Sequence, residues 1–306
     1  MQVPEIKRCR KIQGISALLL PFNDDLSVDW KGFKSILERT LDSGLVPAVN
    51  MDTGSTQFIS DADRAEVLRI TSSYCDDFVA GCFVADQQGS VLDEQQYQIE
   101  IEKVCLSGGL PILFPSWGLN SLQEEELVPA LDRVTAHCDR FLGFELGAQF
   151  VPYGRIYSLA TYSELLSLPR CVGAKHSSLS REMEWQRLQL RDQARSDFCV
   201  YTGNDLAIDM VMWGSDYLLG LSTFAPDKFA QRDRMWESGD SGFYSLNDKL
   251  QYLGAFAFRA PVPGYKHNAA QLLKLQGVIS SDTCPPGTPE RSATDCDVLK
   301  TWWESL

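Results

Sequence analysis

The chain has 306 residues, 44% hydrophobic and 23% charged, an ordinary globular composition with enough apolar material for a large core. Its net charge of −13 is spread along the sequence with no basic patch, which excludes a surface built to neutralise nucleic-acid phosphates. No uncharged apolar run reaches the length of a membrane span, and the basic start MQVPEIKRCRKIQG lacks the apolar stretch of a signal peptide. A soluble, cytoplasmic protein with no membrane contact is therefore expected. The nine cysteines are odd in number and never spaced as CxxC, which speaks against a disulfide framework and against a zinc cluster. Reduced thiols are expected.

In chain order, short apolar runs alternate with amphipathic stretches. ISALLLPF (15–22) is followed by WKGFKSILERTLDSG, a helical pattern ending in glycine, the residue that most easily takes the left-handed helix-stopping conformation. VPAVNM (46–51) and FVAGCFVA (78–85) come next, then DEQQYQIEIEKVCLSGG, a second helix with a glycine stop. LPILFPS (110–116), FLGFELG (141–147), RCVGAK (170–175), FCVYTG (198–203) and YLLGLSTF (217–224) complete the set. Continuous apolar runs of this length suit strands buried on both faces, as parallel sheets require. The alternation predicts an α/β fold, a (β/α)8 TIM barrel. A doubly wound open sheet would carry a glycine fingerprint after its first strand, and LLLPFNDD has none.

Beyond the eighth run only helical patterns remain: DKFAQRDRMWESGD, YSLNDKLQYLGAFAF, HNAAQLLKLQG and CDVLKTWWESL. SSDTCPPGTPERSATD between the last two reads as an exposed loop. The expected organisation is a barrel over residues 1–230 and a C-terminal helical extension of the same domain over 231–306.

The active site of such a barrel lies at the C-terminal ends of its strands. The second strand runs into Asn50-Met51-Asp52-Thr53-Gly54-Ser55-Thr56, a polar turn able to offer N–H groups and hydroxyls to an anion. Ser60 or Asp61 already suits the cap of the following helix, which leaves the earlier residues free. The third strand ends near Asp86, the fifth at Glu145, and the seventh in Gly203-Asn204-Asp205. Lys175 closes the sixth run directly after Cys171-Val172-Gly173-Ala174, so it belongs to the strand. A lysine inside a barrel loses solvation, its pKa falls, and the neutral amine becomes a nucleophile for carbonyl carbons. The structural reading is a buried ion pair between Lys175 and Glu145 on the neighbouring strand, and position alone leaves the two open. His176 is expected to face the outer helices, because neighbouring strand residues point to opposite sides. An all-carboxylate cation site from Asp52, Asp86, Glu145 and Asp205 is conceivable but leaves the lysine unexplained.

Several segments resemble the dihydrodipicolinate synthase / N-acetylneuraminate lyase superfamily of class I aldolases. ALLLPFNDDLSVDWKGF is similar to that group's opening, and LPRCVGAKHSSLS to the stretch that carries its Schiff-base lysine. YTGNDLAIDMVMWGSDYLLGLSTFAP and PVPGYKHNAAQLLKLQG are similar to later family segments. The resemblance implies that Lys175 forms a Schiff base with a pyruvate-like 2-oxo acid and that no diffusible cofactor is needed. It implies a carboxylate-holding turn at Asp52 and Thr53, a substrate lining that includes Gly203 and Leu219, and a homotetramer, with Trp302 and Trp303 in need of cover.

Two departures stand out. In an ungapped register the carboxylate-binding GTTGE of the group appears as Met51-Asp52-Thr53-Gly54-Ser55, so the Asp52 side chain must point away; a gapped register puts Gly54-Ser55-Thr56 there instead. The group's proton-relay tyrosine on the fifth strand is missing. An ungapped register puts Gly147 there and a proline-matched one puts Gln149, which then becomes a substrate-binding candidate. Glu145 or Tyr153 is expected to move protons instead. The expected activity is that of a lyase. The alternatives are a dehydratase of a deoxy-sugar keto acid using the same iminium, or a ligand-binding homologue without catalysis.

Overall fold

The apolar runs fold as eight parallel strands that close into one barrel in chain order. The structure is a computed structural model describing residues 3–306. The strands are β1 (Gly14–Ala17), β2 (Val46–Val49), β3 (Val79–Cys82), β4 (Leu110–Leu113), β5 (Phe141–Leu146), β6 (Cys171–Ser177), β7 (Cys199–Thr202) and β8 (Asp216–Leu219). Closure comes from β1, which pairs in parallel with both β2 and β8.

The helices are α1 (Trp30–Asp42), α2 (Asp61–Tyr74), α3 (Glu94–Leu106), α4 (Trp117–Asn120), α5 (Glu124–Val134), α6 (Leu159–Ser167), α7 (Arg181–Ala194) and α8 (Pro226–Ser238). A 3₁₀ turn, Ile208–Trp213, stands in for a helix between β7 and β8. α9 (Gly242–Ala257), α10 (Tyr265–Leu275) and α11 (Asp295–Glu304) follow. α8 crosses residue 230 and packs on α1 and β1 as the last helix of the outer ring, so the added helices begin with α9.

Strand alternation separates two apolar layers. Ile15, Ala17, Ala48, Ile112, Leu142, Phe144 and Leu218 fill the barrel, while Val49, Cys82, Phe141, Ala174 and Leu219 pack under the outer helices. β1 ends at Ala17 and β8 at Leu219, short of the apolar runs that contain them. The apolar residues beyond are covered another way: Leu221–Phe224 form a 3₁₀ turn wedged between β1 and α10.

The Pro-rich segment before α11 is irregular as expected, yet it is not free on the surface. Arg291 is buried, and its guanidinium donates to the carbonyls of Ala257, Arg259 and Pro261. Trp302 needs no second chain to cover it: it is buried against α9 with its indole N–H donating to the Lys249 carbonyl at 2.7 Å. All nine cysteines are unpaired, with Cys82, Cys138 and Cys171 buried. Among the described residues, no helix is long and apolar enough to cross a membrane.

Candidate active site

Lys175 stands opposite Phe144 in the β5–β6 ladder, and both side chains point into the barrel. Only 7% exposed, Lys175 places its Nζ 4.8 Å from the centroid of the Phe144 ring. Among the described residues it makes no hydrogen bond and no ion pair. Burial therefore dominates and lowers the amine from 10.5 to about 8, with the charges of Asp205 and Asp52 opposing the shift.

Gly203, just past β7, makes room for this side chain. A Cβ there would lie 2.7 Å from Lys175 Cε and 2.1 Å from Ser177 Oγ. Ser177 is two residues beyond Lys175 on the same face, and among the described residues its buried hydroxyl has no hydrogen-bond partner. Asp205 is also buried. It accepts the Leu221 N–H at 2.8 Å, and burial raises its carboxyl to about 7, against the pull of that hydrogen bond and of Lys175.

At the end of β2, Asp52–Gly54 form a 3₁₀ turn. Asp52 and Thr53 head it, so their N–H groups have no acceptor within the turn. Ser60 caps α2 through the Asp63 N–H at 3.1 Å, which leaves the turn without a capping duty. The Asp52 side chain does point away, toward the start of α10. Its Oδ1 accepts from Lys266 Nζ at 3.0 Å and Gln57 Nε2 at 2.8 Å, and its Oδ2 accepts from the Tyr265 hydroxyl at 3.2 Å. Thr53 Oγ1 lies 2.9 Å from the same hydroxyl.

The residues expected around β5 divide. Glu145 is not beside Lys175. It stands opposite His176 in the ladder, and both point outward, as alternation with Phe144 and Leu146 requires. There Glu145 binds His176 Nδ1 at 2.7 Å, Arg187 at 2.7 and 3.1 Å, and the Tyr157 N–H at 2.9 Å. Burial pushes this carboxyl up, but His176 and Arg187 outweigh it and hold it below the ordinary range. Neither the Lys175–Glu145 ion pair nor a proton-moving role for Glu145 at the lysine fits this geometry. Gln149 is exposed, with its amide donating to the Ser178 carbonyl at 3.1 Å, outside the mouth. Leu219 also faces the outer layer.

Tyr153 does reach the mouth. The loop after β5 folds back through a bridge between Leu146 and Arg155, and Asn120 Nδ2 pins the Tyr153 carbonyl at 2.6 Å. The ring packs on the barrel interior and on Trp117 at 5.4 Å, and among the described residues its buried hydroxyl has no partner. Burial, then the charges of Asp52 and Asp86, push that phenol well above its ordinary range.

The four-carboxylate cation site is not assembled. Asp86 accepts the N–H groups of Trp117 and Gly118 at 2.9 and 2.7 Å and so caps α4. Asp52 is paired with Lys266, and Glu145 faces outward. Sequence reasoning left Ser177, Tyr265 and Lys266 without a role and considered Asp205 only as a cation ligand. Ser177 and Asp205 stand among the strand-end residues and were within reach. Tyr265 and Lys266 come from the added helices, and no strand-end rule points to them.

The fold and site define a (β/α)8 barrel protein with a lone buried amine at the C-terminal end of its sixth strand. No protein-family model matches the chain. In sequence it is similar to N-acetylneuraminate lyase of Actinobacillus pleuropneumoniae serotype 5b, 24% identical over 303 residues that cover 95% of this chain and 97% of the relative. It is also similar to N-acetylneuraminate lyase of Haemophilus influenzae, 24% identical over 281 residues, or 88% of this chain and 89% of the relative. Among solved structures it is similar to dihydrodipicolinate synthase from Rhodopseudomonas palustris, with a TM-score of 0.81 at 15% identity over 99% of this chain and 100% of that one. A prophage protein of the dihydrodipicolinic acid synthase family from E. coli K12, in complex with pyruvate, superposes with a TM-score of 0.79 at 14% identity over 96% of this chain and 98% of that one. The chain is thus similar in sequence and fold to proteins of the dihydrodipicolinate synthase / N-acetylneuraminate lyase group, the group its motifs resemble.

Proposed function

We propose that this protein is a class I lyase that cleaves or forms a carbon–carbon bond next to a pyruvate-like 2-oxo acid, through a Schiff base on Lys175. The observation that carries the reading is the unpaired burial of Lys175 in the barrel mouth, which holds its amine at about 8. Near neutral pH a useful fraction of that amine is uncharged and can attack the ketone. The new C–N bond gives a carbinolamine, loss of water gives an iminium, and the iminium accepts the electron pair of the adjacent breaking bond. The lysine is itself the electron sink.

The N–H groups of Asp52 and Thr53 hold the substrate carboxylate. Tyr153, with its free hydroxyl, gives and takes the proton of the departing oxygen. Asp205, raised to about 7, exchanges protons with Lys175 as the adduct forms. Two facts about similar proteins support this assignment: the sequence relatives bear the name of a lyase, and a structural neighbour holds pyruvate. The test is product analysis with N-acetylneuraminate and a panel of other 4-hydroxy-2-oxo acids, following released pyruvate. Release that disappears in Lys175→Ala supports the reading; no pyruvate from any of them contradicts it. The assembly that accompanies this reading is a homotetramer, and a monomer mass by light scattering would contradict it.

A further inference from the structure

The start of α10 brings a buried phenol to the turn that follows β2. The Tyr265 ring stacks on Phe258 with centroids 4.1 Å apart, and its hydroxyl lies between Thr53 Oγ1 at 2.9 Å and Asp52 Oδ2 at 3.2 Å. The direction of these bonds follows from the end of the chain. A carboxylate paired with an ammonium only accepts, so Tyr265 donates to Asp52, and the Tyr265 oxygen is left to accept from Thr53. Thr53 Oγ1 then has lone pairs to spare, and among the described residues it has no other partner.

Glycine lets a neighbouring strand end approach these groups closely. Gly220, just past β8, is where a Cβ would come within 2.9 Å of Thr53 Oγ1 and 3.3 Å of the Tyr265 hydroxyl. Gly203 likewise lets the adjacent strand end pack closely on Lys175. Asp52 is also one of the two carboxylates whose charge acts on Lys175.

We propose that Thr53, Tyr265 and Asp52 form a proton relay, closed by the Lys266 ion pair, for the carbon next to the Lys175 iminium. The proposal rests on the Schiff-base reading. In one direction a C–H bond beside the iminium carbon breaks. Its electron pair becomes the carbon–carbon double bond of an enamine, and the C=N pair returns to nitrogen and cancels its charge. The proton adds to Thr53 Oγ1 as the Thr53 proton passes to Tyr265 and the Tyr265 proton to Asp52, which ends as a neutral acid. In the other direction the same proton returns to the enamine carbon. Nothing is oxidised and no co-reactant is consumed. Thr53 touches the substrate; Tyr265 and Asp52 act through it and position its hydroxyl.

A purely structural role would tether the added helices to the β2 turn and leave proton traffic alone. The two roles separate in an exchange experiment with pyruvate in D₂O, followed by NMR of the methyl protons, beside borohydride trapping of the adduct on Lys175. The variants are Tyr265→Phe, which keeps the stacked ring, and Thr53→Val and Thr53→Ser, which keep the backbone. The relay predicts that all three still form the borohydride-trapped pyruvate adduct, against which exchange is normalised. Methyl exchange should fall by about 100-fold or more in Tyr265→Phe and Thr53→Val, the lower end of general acid–base effects. Thr53→Ser should restore it. Should Tyr265→Phe lose its fold by circular dichroism, the valine and serine pair decides alone. Exchange within about threefold of wild type in Thr53→Val, with trapping intact, would overturn the relay. A wild type that traps no pyruvate would instead overturn the Schiff-base reading beneath it.

Discussion

Lys175 and Phe144 face each other across β5 and β6, with the ammonium nitrogen 4.8 Å from the ring centroid. An aromatic face is worth about 0.5–2 kcal/mol to a cation, less than the desolvation of a buried charge. The pairing seats the amine without stabilising its charged form enough to keep it protonated at high pH. A carboxylate in the place of Phe144 would do the opposite and silence the nucleophile.

The amine should gain reactivity as pH rises through about 8. Adduct formation with pyruvate, measured as an initial rate, should climb from pH 6 and level off above that midpoint. The Asp205 charge raises the Lys175 value, so Asp205→Asn should move the midpoint to lower pH. A midpoint near 10.5, the ordinary lysine value, or one that rises in Asp205→Asn, would contradict this electrostatic account.

The same shift has a consequence for stability. Lys175 binds its proton more weakly in the folded state than in the unfolded chain, so below about 8 its burial opposes folding, and the penalty fades as pH climbs toward 10.5. Lys175→Met should therefore be the more stable protein at pH 7, by up to about 3 kcal/mol for a shift of this size. Its advantage should vanish near pH 10.5. Urea melts at the two ends of that range check this, and equal differences at both would refute it.

Glu145 is predicted to hold the fold and not the reaction. Its carboxylate is shared by His176, Arg187 and the Tyr157 N–H in the outer layer, and breaking a buried pair by removing one partner costs about 3–5 kcal/mol. Glu145→Gln should unfold at markedly lower denaturant yet still trap pyruvate while folded. Normal stability with lost trapping would return Glu145 to the catalytic set.

Much of this architecture was legible in the sequence, because parallel strands buried on both faces read as unbroken apolar runs. Their ends were harder to see. Leu221–Phe224 continue the β8 run in composition but are apolar because α10 covers them. Lys175 could be picked out because a charged residue inside such a run has few explanations. Glu145 could have been excluded from the mouth by the same alternation that turns His176 outward, since Phe144 and Leu146 flank it. Tyr265 and Lys266 are different: their contact with Asp52 joins chain positions far apart, and only the packing of the added helices brings it about.

The central claim is that Lys175 is the covalent nucleophile, and the direct measurement is the mass of the protein after incubation with pyruvate and borohydride near pH 8. One reduced pyruvate should be attached, and peptide mapping should place it in CVGAKHSS. Lys175→Arg and Lys175→Ala should both lose it, because a guanidinium stays protonated and alanine has no amine. An adduct that persists in both variants, or that maps to Lys266, would contradict the account, as would no adduct with any 2-oxo acid.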